Sequence, residues 1–310
     1  MQRLWRSTVV ALIAFGASAT QPTPDTQRWW NYVKALANDG MEGRNTGSEG
    51  YMRAARYVVT AFERNGLKPA GESGYFQTVP LHEVRLRADL SKAELVRGSA
   101  THPLRWLRQI TVPASTSLPQ TIDAPMVFVG SAGWEHEVDV KGKIVVQLNP
   151  APRVEHARAP LLTAPPDGAM GLLGIDNLAT LEPRRWPVQY SVAMTLRGQT
   201  GPPYRGLVMA FNPAHAELLF EGSGHTFREL KQLDDQGRPM PNFALPSRLR
   251  ASLRVEESEL ESPNLIASLA GSDPTLANEY VIISAHLDGY GFGEPWGKDR
   301  IYNGAFDDAA

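Results

Sequence analysis

Glu279-Tyr-Val-Ile-Ile-Ser-Ala-His286-Leu-Asp288, followed across a glycine-rich stretch by Asp299-Arg-Ile-Tyr-Asn-Gly-Ala-Phe-Asp307-Asp308, is the stretch whose reading decides the fold. The unbroken apolar run from Tyr280 to Ala285 is predicted to be a buried strand of an α/β sheet. Open α/β sheets place their sites at the carboxyl ends of strands, so His286 falls where a ligand would bind. Asp288 is close enough to orient the imidazole. A loop containing Gly289, Gly291, Gly293 and Gly297 then leads back to Asp307. Neutral imidazole and carboxylate are both zinc ligands. A metal-bound histidine needs an acceptor for its other ring N–H, and Asp288 is the candidate. Asp307 and Asp308 are adjacent like charges, which is costly unless a cation or a helix N-terminus offsets them. Taken singly, a His-x-Asp reads as a satisfied pair and an Asp-Asp as a helix cap. Their ordered combination, each in an apolar or small-residue frame, points instead to a metal site.

Three segments in order, Asn264-Leu-Ile-Ala-Ser-Leu-Ala-Gly271, Ala285-His-Leu-Asp288 and Asp299 to Ala309, resemble the co-catalytic zinc aminopeptidases. These are secreted bacterial-type metallopeptidases, often with an inserted protease-associated domain. The resemblance implies an α/β fold: a mixed-sheet zinc-peptidase domain flanked by helices and interrupted by a β-rich insert. It implies His286 as a terminal metal ligand, Asp307 as the carboxylate bridging two Zn2+ ions, and Asp288 as the catalytic-site carboxylate that partners His286. Peptides are the implied substrates. The family often has a second His directly after that Asp, where this chain has Gly289. Its site continues downstream with a Glu-Glu pair, a further carboxylate and a last His. The expectation is therefore that this chain is the front portion of such an enzyme, inactive and prone to aggregate alone. Glu256-Glu257 precedes His286 and closes an alternating strand, so it is not expected to substitute. Two other outcomes stay open. Glutaminyl cyclases and carboxypeptidase-type relatives share the frame, and a non-catalytic binding or scaffold protein would need no complete site.

The 310 residues suffice for two domains, and 42% hydrophobic with 21% charged residues is an ordinary globular composition. A net charge of −2 without a basic run argues against nucleic acid as partner. Residues 1–19 read as a signal peptide. Arg3 and Arg6 precede the apolar core Val9 to Phe15, and Ala17-Ser-Ala19 supplies the cleavage signal. That core is well short of the ~20 residues of a membrane span. A periplasmic or secreted location follows, and with no cysteine the fold must rest on its core rather than on disulfides.

Along the chain, Trp29, Trp30, Val33, Leu36 and Ala37 recur at helical spacing, with Asp25 or Thr26 as cap and the tryptophans as core or staple. A second helix carries Tyr51, Ala54, Ala55, Val58 and Phe62 and stops at Asn65-Gly66. Between them, the Gly43-Arg44-Asn-Thr-Gly-Ser48 turn is similar to the opening of the same peptidases, with Arg44 facing a cleft or held in a salt bridge. Phe76, Thr78, Val84 and Leu86 fall in alternating runs that suggest strands, and Met126 to Gly130, Lys143 to Leu148 and Gly206 to Phe211 are short apolar predicted strands. Lys141-Gly-Lys-Ile144 is similar to the protease-associated insert. Leu249, Ala251, Leu253 and Val255 alternate with polar residues, as in a half-buried strand at a sheet edge. The expected division is 20–120 and 246–310 for the peptidase domain and 121–245 for the insert. His136, His156, His215 and His225 are expected to be structural rather than ligands.

Overall fold

The structure is a computed structural model and describes residues 23–131, 138–149, 164–176, 186, 190–199, 201 and 204–305. The signal segment, His136, His156, Asp307 and Asp308 lie outside the described residues.

Two helices open the chain. α1 (Pro24–Leu36) is capped by the Thr23 side chain, which accepts from the Thr26 amide, with Pro24 at its first position. The cap is thus one residue before the proline rather than Asp25 or Thr26. Val33 and Leu36 are buried as their spacing requires, but Trp30 is 45% exposed and does not join the core. α2 (Glu49–Arg64) begins on the Ser48 cap and ends at Asn65, after which Gly66 takes the left-handed conformation. Of its buried residues, Tyr51, Ala54 and Ala55 lie on the predicted face.

The strands follow as β1 (Lys68–Pro69), β2 (Phe76–Leu86), β3 (Lys92–Arg97), β4 (Ala100–Leu104), β5 (Ile110–Thr111), β6 (Thr121–Ser131), β7 (Ile144–Leu148), β8 (Gly171–Ile175), β9 (Val192–Leu196) and β10 (Val208–Phe211). Two short helices, α3 (Glu217–Phe220) and α4 (Phe227–Asp235), precede β11 (Phe243–Ser252), β12 (Val255–Leu265), β13 (Ala267–Ser268), β14 (Gly291–Trp296) and β15 (Asp299–Tyr302). Eight strands form one mixed sheet in the order β4-β3-β11-β6-β7-β8-β10-β5. Its centre, β6 to β10, is parallel, and every residue of β7 and β8 is buried. These are the continuous apolar runs that parallel strands covered on both faces require. Phe128 on β6 is fully buried and anchors the helical side, its ring 5.2 Å from Phe220 and 5.3 Å from Phe243.

β11 lies between β3 and β6, so the alternating strand is internal to this sheet and not at an edge. Alternation persists there because one face stays open to water. Leu249 and Ala251 are buried, while Arg250 sits between its register partners Glu94 and Asp123 and pairs with both. β12 then runs antiparallel to β2 over its whole length, with β9 on the other side of β2. Here Glu256 pairs with Arg87 and Glu257 with His82, so both glutamates serve this ribbon.

The run predicted to be a buried strand is neither. Residues 279–290 have no regular structure, and Tyr280, Val281, Ile282 and Ile283 are 83–93% exposed. The physical reason is that a strand is fixed by its neighbours. No described residue pairs with this run, so its β-branched side chains have nothing to pack against.

Candidate metal-site arm and its scaffold

Past the exposed run the chain folds back onto the two N-terminal helices. Leu287 packs against a small cluster of Leu36, Ala54 and Ala305, bordered by Ala37, Met41 and Tyr57. His286 and Asp288 flank Leu287 and remain accessible, their side chains 49% and 44% exposed. One apolar residue is thus buried and its two polar neighbours are held at the surface.

Their geometry is that of an oriented imidazole. His286 Nδ1 lies 3.0 Å from the Asp288 carbonyl oxygen and 3.3 Å from Asp288 Oδ1. With the Nδ1 proton given to Asp288, Nε2 carries the lone pair that a cation would take. The other carboxylate oxygen, Oδ2, accepts a 2.6 Å hydrogen bond from the Thr46 hydroxyl. Tyr51 stands close by. Burial raises its phenol pKa, and the Asp288 charge raises it further, against an opposing hydrogen bond with Ser262. Tyr51 therefore stays a neutral donor, and its hydroxyl bonds the Pro263 carbonyl at 2.6 Å.

Thr46 belongs to the loop between the helices, and this loop is bound closely to the arm that bears His286. Glu42, Gly43 and Arg44 all have positive φ, at 50°, 67° and 53°. For the two non-glycine residues that costs roughly 1–2 kcal/mol each. The turn brings the Arg44 carbonyl to the Gly289 amide at 2.9 Å and sends its side chain inward, leaving the residue 1% exposed. The guanidinium donates to four carbonyls: Leu287 at 2.9 Å, Leu36 at 2.5 Å, Asn303 at 3.1 Å, and Gly304. Arg44 thus ties together the end of α1, the His286 arm and the segment leaving β15 toward Asp307. Its named bonds go to backbone carbonyls, where the sequence had suggested a cleft-facing group or a salt bridge.

Backbone approach this close leaves no room for side chains. A Cβ on Gly43 would come within 2.8 Å of Gly291 Cα and of the Tyr302 carbonyl oxygen, and one on Gly289 within 2.6 Å of the Gly43 carbonyl oxygen. Glycine is therefore required at position 289 by the approach of the Gly43 backbone.

An imidazole with its carboxylate partner is in place, but among the described residues no group of three His, Cys, Asp or Glu side chains is positioned to hold an ion. Asp307 is not among them. Three of the other described histidines have partners or surroundings of their own, while His102 is exposed on β4. His82 pairs with Glu257, and His225 pairs with Glu229 and stacks on Phe243. Burial, with Arg108 nearby, lowers the pKa of His215. Thr46 was not singled out from sequence. The signal that could have found it is the Gly-Arg-x-Thr-Gly spacing, with a hydroxyl two residues past a conformationally demanding arginine. Among the described residues, no helix is long and apolar enough to cross a membrane.

No protein-family model matches the chain, and no curated protein sequence matches it. Solved structures do. A peptidase M28 precursor from Shewanella amazonensis SB2B is 16% identical with a TM-score of 0.38, over 79% of this chain and 54% of that one. An aminopeptidase from Aneurinibacillus sp. strain AM-1 is 15% identical with a TM-score of 0.37, over 80% and 49%. BSAP, a zinc aminopeptidase from Bacillus subtilis, is 11% identical with a TM-score of 0.34, over 78% and 46%. The chain spans about half the length of these structures.

Proposed function

We propose that this chain belongs to a metal-dependent exopeptidase that removes N-terminal residues from peptides, working outside the cytoplasm behind the signal segment at residues 1–19. The observation that supports it is the imidazole of His286, held through Nδ1 by Asp288 on a scaffold that also carries the strand leading to Asp307. In this reading His286 and Asp307 would hold zinc. Bound zinc would supply Lewis-acid polarisation of the scissile carbonyl and a water acidic enough to act near neutral pH.

The chain's own residues do the positioning. Asp288 keeps the imidazole proton on Nδ1, and Thr46 keeps the carboxylate turned toward that proton. Arg44 holds the two backbone arms at a fixed separation. The eight-stranded sheet, whose strands run from Lys92 to Ser252 and so extend beyond residues 121–245 on both sides, is proposed together with the Lys141-Gly-Lys-Ile144 turn as the protease-associated insert that would shape access for peptide. The test is release of free N-terminal amino acids from unblocked peptides by the full-length gene product, with and without chelator. Chelator-sensitive release that His286→Ala and Asp307→Ala both abolish is the expected result. Loss of ammonia from N-terminal Gln, without peptide-bond cleavage, would move the assignment to a cyclase. Wild-type turnover in either variant refutes the ligand assignment.

A further inference from the structure

We infer that Thr46 and Arg44 are positioning residues for His286, acting through Asp288 and through the backbone on either side of it. This rests on reading His286 as a metal ligand, and it adds two residues from a loop more than 240 positions away in sequence. An exposed carboxylate rotates freely unless something fixes it. The Asp288 side chain is 44% exposed, and its Oδ1 is 3.3 Å from the ring nitrogen, a long contact. The short bond from the Thr46 hydroxyl to Oδ2, at 2.6 Å, is the stronger of the two and sets the carboxylate plane. With that plane fixed, Oδ1 and the Asp288 carbonyl oxygen together select the Nδ1–H tautomer. Without it, the Asp288 carboxylate can turn to water, and only the carbonyl oxygen is left to favour the Nδ1–H tautomer.

Arg44 fixes the same group from behind. Its Nε bonds the carbonyl of Leu287, the residue between His286 and Asp288, while its own carbonyl receives the Gly289 amide. The peptide units bracketing Asp288 are thereby tied to one residue. The same guanidinium reaches Asn303 and Gly304, so the arm leading to Asp307 shares that reference. The left-handed backbone at Arg44 is what points its side chain and its carbonyl into the interface together.

The experiment uses the full chain labelled with 15N-histidine, the His286 ring resonances being assigned by their loss in His286→Ala. Wild type, Thr46→Val, Thr46→Ser and Arg44→Lys are compared by ring 15N shifts, by zinc titration, and by exchange of the Gly289 amide. Val matches Thr in shape but lacks the hydroxyl; Ser restores it. The expected result is a ring held as the Nδ1–H tautomer in wild type and in Thr46→Ser, and a mixture in Thr46→Val. Zinc affinity should fall about tenfold in Thr46→Val, the lower end of the range for outer partners of a metal-bound histidine. Arg44→Lys should speed Gly289 exchange at least tenfold. A Thr46→Val ring spectrum and zinc affinity identical to wild type would overturn the inference, as would unchanged Gly289 exchange in Arg44→Lys. If the wild type shows no zinc binding that depends on His286, the metal-ligand reading fails on its own. The ring spectra then decide the positioning role: a tautomer change in Thr46→Val upholds it, and none overturns it.

Discussion

Replacing Arg44 with methionine removes every donor from the buried interface and keeps most of the side-chain volume. Of its four carbonyl acceptors, the one at Leu36 is buried, and those at Leu287, Asn303 and Gly304 are part-buried. A buried carbonyl left without a donor costs about 1–3 kcal/mol, and each part-buried one, which water can partly reach, about 1 kcal/mol or less. The left-handed backbone of residue 44 keeps its strain in the variant, because methionine prefers it no more than arginine does. The expected loss is therefore about 1–6 kcal/mol, enough to open a local unit of the fold. It should also be confined. The bonds described for Arg44 join α1, the His286 arm and the exit of β15, and none reaches the eight-stranded sheet. Amide exchange followed by mass spectrometry separates the two regions. Peptides spanning 286–305 should lose protection in Arg44→Met, while β6, β7 and β8 keep theirs. Equal protection in 286–305 before and after substitution would refute the clamp, and matching losses in both regions would refute its local character.

Other consequences are independent of that one. Gly289→Ala should destabilise the same arm by about 2 kcal/mol or more, because the new methyl meets the Gly43 carbonyl oxygen at 2.6 Å; an unchanged exchange profile at 286–290 would contradict the packing. Phe128→Ala, at the fully buried centre of the Phe220–Phe243 cluster, should cost about 3–5 kcal/mol in urea unfolding of the mixed sheet. Burial, and then the carboxylates of Glu294 and Asp299, push the Tyr302 phenol up to about 12. A raised acid pKa favours the protonated form on folding, so its contribution is complete below about pH 10 and is lost as pH rises through about 12. Tyr302→Phe should flatten that alkaline loss. The exposed run Tyr280 to Ile283 combines β-branched side chains with unpaired backbone. Ile282→Lys should raise the soluble fraction without moving the unfolding midpoint, as followed by light scattering.

Much of the central sheet was legible from sequence because its strands are continuous apolar runs: Val127, Phe128, Val145, Val146, Met209 and Phe211 are buried as their runs implied, whereas the short, glycine-flanked β8 was not read as a strand. The same rule misread Tyr280 to Ala285. An apolar run declares that it suits a buried strand, and only partners make it one. The edge assignment of β11 failed for a related reason. Alternation reports one face open to water, not how many neighbours a strand has, and on that open face Arg250 pairs with Glu94 on one side and Asp123 on the other. At the site, His286 and Asp288 stood out through their spacing, and the structure brings them together as that spacing implied. For Arg44 and Thr46 the Gly-Arg-x-Thr-Gly spacing was a weaker sign, because their significance lies in contacts with residues more than 240 positions on. The motif around them was visible, yet its turn chemistry does not reveal which strand it receives.

The most direct test of the account is zinc binding by the intact chain, titrated calorimetrically in wild type, His286→Ala and Asp307→Ala. The account predicts a saturable site in the wild type whose affinity falls at least tenfold in each variant, with the mixed sheet unfolding at an unchanged midpoint. Equal zinc affinity in all three would contradict it.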